Sequence, residues 1–480
     1  MAADLKGKTI SGVIWTAFEK FFRKFVQFGI GIVLARLLAP SEYGVVGMLS
    51  IFIAVAQTFI DSGMGNALIQ KKEKLEQDFS TVFYFNIAVS FLFYVLLFVC
   101  SPFIASFYRM PVLEDVTKVI SITLLINALT AVHTTKLTID LRFKELSFAS
   151  VSSAVVSGIA GIILAYYGYG VWAIVYQTII MSIVNSLVVY YYVRWQPKLE
   201  FSKDSFNKLF SFGSKLLCSG LINTIYNNLY TLVIGRAFSP ADVGFYNRAN
   251  QFSLLPVSTI QDMSTKVSYP VLSKMQDDDS KLINAYKKLL RHPLYILFPV
   301  LVGLAVVAEP LIVVMIGEKW LPCVRLMQIM CIGYMFAPLS TTNLNLLYVK
   351  GRTDLVLKLE FFKKPIAFII LFSSLYFGLV ALVIGRAFYE FVAFSFNCYY
   401  TGKLLKYGEL EQLKALLPIF VNSFLMGFLS YVAMLYVEPL ILKIIVGISV
   451  GILSYLLLSI ITKDPSFLEI KGILKKKLNR

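Results

Sequence analysis

The sequence predicts an all-α integral membrane protein with about fourteen transmembrane helices. Three observations lead there. The 480 residues are 58% hydrophobic and only 15% charged, with a mean hydropathy of +0.73, so the bilayer has to be the main solvent. Apolar runs long enough to span recur along the whole chain. The short segments between them alternate between basic and nearly uncharged.

Taken in order, the first seven runs cover residues 10–38, 44–62, 82–106, 116–135, 147–167, 170–193 and 209–238. The second seven cover 244–268, 293–316, 322–348, 355–377, 378–402, 412–436 and 439–461. The basic start, Lys6 and Lys8, leads into a long charged first span with no short apolar core or small-residue cleavage site, which predicts a retained anchor. Fourteen crossings put both termini on one side. That side gathers Lys71, Lys72 and Lys74, then Arg142 and Lys144, Lys350 and Arg352, Lys403 and Lys406, and the tail from Lys463 to Arg480. The opposite connections, such as Ala39–Tyr43, Tyr166–Gly170 and Val437–Pro439, carry almost no basic residue, Arg109 and Lys319 excepted. The positive-inside rule makes the first side cytoplasmic, in an inner membrane. The longest polar stretch, Tyr269 to Arg291, has helical periodicity and is expected to lie along the cytoplasmic interface.

An internal repeat sets the organisation. Val33-Leu-Ala-Arg-Leu-Leu-Ala-Pro-Ser-Glu-Tyr-Gly44 matches Val233-Ile-Gly-Arg-Ala-Phe-Ser-Pro-Ala-Asp-Val-Gly244, so Arg36, Pro40, Glu42 and Gly44 recur as Arg236, Pro240, Asp242 and Gly244. Each copy closes the first span of a half, and six spans separate them. Two parallel six-helix lobes follow, residues 1–200 and 201–405, with two further helices and a basic tail in 406–480. The repeated residues also admit a purely structural reading, an interfacial arginine beside a Pro-Gly turn.

Several classes of function drop out. The net charge of +17 is spread over short connections, not gathered into a nucleic-acid face. The five cysteines are an odd number without a metal-type pair, and His133 and His292 stand far apart, so no metal centre is expected. Nucleotide, zinc-protease and serine-hydrolase motifs are missing, and no catalytic residue or cofactor is expected.

The chemistry sits inside the spans. Glu19, Lys20, Arg23, Lys24 and Gln27 interrupt span 1 within an arc of roughly 140°, one side of the helix. A Glu19–Arg23 pair at i, i+4 would cement helices, but it leaves Lys20 and Lys24 over. Span 7, the repeat mate, carries Lys215, Ser219, Asn223, Tyr226, Asn227 and Tyr230 on one face. Span 11 carries Lys358, Glu360, Lys363 and Lys364, and span 12 carries Arg386, Glu390 and Asn397. Ionisable residues at membrane depth usually mark a transport path. The excess of cations fits an anion, phosphate above all, and the Tyr and Asn residues suit sugar hydroxyls. Lys20, Arg23, Lys24, Lys215, Asn223, Tyr226, Lys363 and Arg386 are therefore the candidate substrate-binding set. Glu19, Glu360 and Glu390 are candidates for coupling to an ion gradient, with permanent pairing to neighbouring cations as the alternative.

Six stretches carry a family resemblance: Trp15-Thr-Ala-Phe-Glu-Lys-Phe21, Leu34–Gly44, Asp61-Ser-Gly-Met-Gly-Asn-Ala-Leu-Ile-Gln70, Leu141-Arg-Phe-Lys144, Gly244-Phe-Tyr-Asn-Arg-Ala249 and Gly317-Glu-Lys-Trp320. In order and spacing they resemble the polysaccharide transporter branch of the multidrug/oligosaccharidyl-lipid/polysaccharide flippase superfamily, Wzx-type O-antigen, colanic and teichuronic acid exporters in particular. They span most of the first two-thirds of the chain; the last spans are less diagnostic. The resemblance implies a V-shaped, two-lobed fold and alternating access. It also implies flipping of undecaprenyl-pyrophosphate-linked repeat units for surface polysaccharide synthesis, with membrane lipids and the pathway's polymerase and glycosyltransferases as partners. A drug exporter of the same superfamily would need an acidic interior, and a non-transport scaffold of polysaccharide synthesis would be favoured by a lack of lipid-linked sugar accumulation on deletion.

Overall fold

The structure is a computed structural model that describes residue 22 and residues 24–61 and 63–478. Among the described residues it is helical throughout and divides into two compact units, Met1–Gly244 and Phe245–Arg480. Ten of its helical segments are long and apolar enough to cross a membrane.

In the first unit, α1 (residues 24–37) is followed by α2 (Pro40–Asp61), α3 (Met64–Gln70), α4 (Glu76–Tyr108), α5 (Val112–Ile120) and α6 (Ile122–Ile139). Then come α7 (Phe143–Tyr166), α8 (Val171–Val193), α9 (Lys203–Ala237) and the first turn of α10 (Pro240–Ser273). The α7–α8 pair is a tight antiparallel hairpin; α6 packs on α4 and α8, and α9 packs on α2, α3 and α4. The 194–202 connection is strapped to the start of α4. The Trp195 indole N–H donates to Glu76 at 2.7 Å, and the Lys198 and Ser202 amides donate to the Ser80 and Thr81 hydroxyls. His133 serves this strap by donating from Nε2 to the Trp195 carbonyl at 3.0 Å.

The second unit holds the rest of α10 and then α11 (Asp279–Val306), α12 (Ala308–Ile316), α13 (Pro322–Tyr334), α14 (Ala337–Val349) and α15 (Thr353–Leu375). It ends with α16 (Leu379–Leu405), α17 (Glu409–Leu435), α18 (Leu440–Ile461) and α19 (Pro465–Leu478). α16 is a hub for α13, α14 and α15, and α17 ties α11 to α18. The last helices are stitched in by buried polar groups. Tyr286 donates to Asn343, Asn343 to Gln412, Tyr295 to Ser459, and Tyr455 back to the Tyr295 carbonyl. In hydrocarbon such bonds have no competing water.

α9, α10 and α15 have 35, 34 and 23 residues and so the length to span, yet they are not among the ten apolar segments. With α1 they complete the fourteen. These four fall at spans 1, 7, 8 and 11; α9 and α15 lose hydropathy to the polar residues they carry, and of span 1 only residue 22 and residues 24–38 are described.

Two expectations change. Tyr269 to Arg291 is not a separate interfacial helix: α10 runs on to Ser273 and α11 starts at Asp279, so the polar stretch extends two spans. Asp278 starts α11 by accepting from the Ser280 and Lys281 amides, both at 3.1 Å. Spans 4, 9 and 10 are each broken, at Ser121, Val307 and residues 335–336. At the last break Pro338 removes one N–H from the helical ladder.

Candidate functional site

The repeat turns out to be a helix start used twice. Pro40 and Pro240 open α2 and α10, where a missing N–H costs nothing and φ is already helical. Two residues on, the acid reaches back: Glu42 accepts the Ala39 amide at 2.6 Å and Asp242 the Ser239 amide at 3.0 Å. The glycines serve packing. A Cβ on Gly44 would run into the Pro240 carbonyl, and one on Gly244 into the Pro40 carbonyl. The two helix starts lie backbone against backbone, and the contact is reciprocal.

From there α2 and α9 run side by side through a polar seam. Ser50 donates to Asn228 at 3.3 Å, and the Thr58 and Thr224 hydroxyls meet at 3.0 Å. Since Thr58 already donates to the Ala54 carbonyl, Thr224 is the donor in that pair. The seam fixes which side of α9 is left open: Lys215, Ser219, Asn223 and Asn227 are exposed and Tyr226 is half-buried. Lys24 on α1 is exposed as well. Glu19, Lys20 and Arg23 lie outside the described residues.

In the second unit the residues singled out on α15 and α16 come together. Lys363 is buried, 4% exposed, and pairs with Glu360 at 2.6 Å; Lys364 reaches the same carboxylate at 3.5 Å. Arg386, Lys363 and Lys364 all lie within electrostatic range of Glu390. Arg386 donates to the hydroxyls of Tyr246 and Tyr334, the latter at 2.8 Å, and its guanidinium lies 5.6 Å from each ring centre. Tyr334 in turn donates its hydroxyl hydrogen bond to Asn250 Oδ1. The arrangement depends on Gly333, whose absent Cβ lets α13 approach the Ala387 backbone of α16. The cluster gathers three basic side chains and two carboxyl groups, and Arg386 is held here by neutral hydroxyls.

Sequence reading passed over Tyr246 and Tyr334, partners of Arg386 brought in by α10 and α13. Tyr246 stands in the Gly244–Ala249 stretch, whose Arg248 also packs over Trp320 of the Gly317–Trp320 stretch, 5.7 Å from the ring. It also passed over Asp61. Gln57 donates to Asp61 at 2.9 Å, and Asn127 of α6 donates to Gln57 at 3.2 Å. Its signals were a carboxylate within an apolar span and its place at the head of the Asp61–Gln70 stretch. Among the described residues no group of three or more His, Cys, Asp or Glu side chains is placed to hold a metal ion.

Residues 33–325 match the profile of a family described as polysaccharide biosynthesis protein. A membrane protein from the cps region of Klebsiella pneumoniae is 28% identical over 492 residues, 99% of each chain. The teichuronic acid biosynthesis protein TuaB of Bacillus subtilis is 26% identical over 465 residues, 94% of each chain. In fold the chain is similar to the lipid II flippase MurJ in its inward closed conformation. That likeness has a TM-score of 0.77 at 16% identity and covers 94% of this chain and 99% of that one.

Proposed function

This chain belongs to the polysaccharide biosynthesis protein family, and on that premise we propose that it is a flippase for lipid-linked oligosaccharides. It carries undecaprenyl-pyrophosphate-linked repeat units from the cytoplasmic to the outer leaflet of a bacterial inner membrane, with both termini inside. No bond is made or broken. The barrier it removes is the transfer of a charged, hydroxyl-rich head through hydrocarbon while the tail stays in lipid.

The observation that carries this reading is the open face of α9: Lys215, Ser219, Asn223 and Asn227 are exposed on a helix as long as any that spans. Exposed amides and a lysine at that depth need water or a polar ligand beside them. Lys20, Arg23 and Lys24 of the first span supply further charge for the pyrophosphate, and Asn223 and Tyr226 meet sugar. Arg386, positioned by the Tyr246 and Tyr334 hydroxyls, is a second anion contact; Lys363 supports it by holding Glu360. Among the coupling candidates, Glu360 is committed to two lysines, which leaves Glu390 and Glu19 as the groups to exchange a proton or sodium ion. The net basic balance disfavours an exporter of organic cations. The lobe boundary near residue 200 rests on the sequence repeat alone, while the compact units divide at 244 because α9 packs on α2.

In proteoliposomes the protein should move a fluorescent lipid-linked oligosaccharide between leaflets. Arg23→Gln with Lys24→Gln should abolish that movement at normal protein abundance, and Lys in place of Arg23 should partly restore it. Undiminished movement in the double variant overturns the anion assignment.

A further inference from the structure

We propose that Asp61, oriented by Gln57 and Asn127, forms a subsite for sugar hydroxyls, an inference that rests on the flippase reading and names the part of the substrate the site takes. Three observations converge on it.

The first is placement. Asp61 closes α2, with no basic residue in that last turn. A carboxylate at a helix C-terminus faces the negative end of the helix dipole, so it breaks a local rule without a compensating cation on its own helix. It also lies inside the Pro40–Gln70 span, yet its side chain is exposed. An ionisable group at such a position usually faces a water-filled cavity, not lipid.

The second is direction. The Asn127 amide donates to the Gln57 carbonyl oxygen, and the Gln57 amide donates to Asp61 Oδ1. Two half-buried amides from two helices are thus aligned head to tail, and the row ends on the carboxylate. One Asp61 oxygen is fixed by that row, while Oδ2 has no partner among the described residues.

The third is the company it keeps. Immediately after Asp61 the chain turns through Gly63 at φ 67°, and α9 lies against that turn: a Cβ there would sit 2.6 Å from the Gly213 carbonyl and 2.9 Å from Leu216 Cβ. The exposed Lys215 belongs to the same turn of α9, with Ser219, Asn223 and Asn227 following along its open face. A cation for phosphate and a free acceptor therefore share one neighbourhood. A carboxylate oxygen only accepts hydrogen bonds, so it repels phosphate and takes hydroxyl donors. The ligand portion it fits is the glycan next to the pyrophosphate, not the pyrophosphate itself.

The test compares two ligands on the full-length protein in lipid nanodiscs: undecaprenyl pyrophosphate bearing a repeat unit, and undecaprenyl pyrophosphate alone. Asp61→Asn should weaken binding of the glycosylated lipid roughly tenfold or more and leave the bare lipid unchanged, which also reports that the variant is folded. Asn127→Ala, which frees the amide row at its far end, should shift binding in the same sense by less. Equal weakening of both ligands, or of neither, overturns the subsite. So does unchanged binding combined with a transport defect in proteoliposomes that appears only under an imposed pH gradient, which assigns the carboxylate to a proton. If the wild-type protein binds neither lipid, the flippase reading itself fails.

Discussion

Replacing Gly44 by Ala puts a methyl group where the Pro240 carbonyl now lies, with Pro240 Cα only 3.1 Å from the new carbon. Nothing flexible stands there to move aside; the obstacle is backbone at the first turn of a helix. The two helix starts have to separate, and overpacking of this kind costs about 1–3 kcal/mol. Ala also favours the helix by about 0.8–1 kcal/mol over Gly. That gain is the same whether the helix starts touch or part, so it cancels from the equilibrium between the two arrangements. The population in contact should fall by roughly 5- to 150-fold relative to the separated one. Gly244→Ala should do the same against the Pro40 carbonyl. The double variant should add little, because the first separation already makes room for the second methyl. Spin labels at Leu37 and Ala237, both exposed and both just ahead of a helix start, read the separation directly by pulsed dipolar spectroscopy. The expected result is a shift to longer distances in each single variant. A wild-type distance distribution in both single variants, with transport undiminished, would refute the reasoning.

The two remaining predictions concern the C-terminal helices. Asp464 is fully buried, pairs with Arg291 at 2.5 Å and also accepts the Ser466 amide at 2.8 Å, so Asp464→Ala should destabilise the second unit by about 3–5 kcal/mol; an unmoved melt in detergent would contradict this. In α19 the Lys288 hydrogen bond and charge, aided by His292, hold the Glu469 carboxyl below its usual range. A depressed carboxylate stabilises the docked helix above the ordinary carboxylate range and loses that contribution as pH falls through it. Glu469→Gln should therefore remove the acid dependence of tail proteolysis at a cost of about 1 kcal/mol or less, given the exposure of the pair.

Hydropathy and the alternation of basic connections were enough to find the spans, because crossing a bilayer leaves a signal in every helix separately. The polar residues of spans 7, 11 and 12 stood out for the same reason: a lysine or asparagine at membrane depth is visible without knowledge of its neighbours. Partnership between helices was not legible. The pairing of Glu360 with lysines on its own helix could be read from the spacing, but that Arg386 ends on Tyr246 and Tyr334 follows from how α10, α13 and α16 approach one another, and Gly333 sets that approach. Asp61 was visible as a letter but not as the end of a row, since Asn127 reaches it through Gln57 from α6. The helix breaks were missed because an apolar run looks continuous across Ser121 or Val307. The polar stretch from Tyr269 to Arg291 misled in the opposite way: loss of hydropathy marked the membrane boundary, while the backbone ladder carried on past it.

The crossed glycines have one more implication. Gly44 meets Pro240 while Gly244 meets Pro40, so residue i touches j' and j touches i', the bookkeeping of an isologous face between two identical subunits. A half-length chain carrying one copy of the motif would make the same contact with a second molecule of itself, and a single substitution would then strike the interface twice. Joined in one polypeptide, the two sides are free to diverge, and they have: the acid is Glu42 on one side and Asp242 on the other, and its capping partner is Ala39 in one copy and Ser239 in the other. The proline and the glycine are what the two copies still share at the point of contact. An engineered half, residues 201–405 with a polar cap where α17 docks, should therefore be sought as a parallel homodimer rather than a monomer.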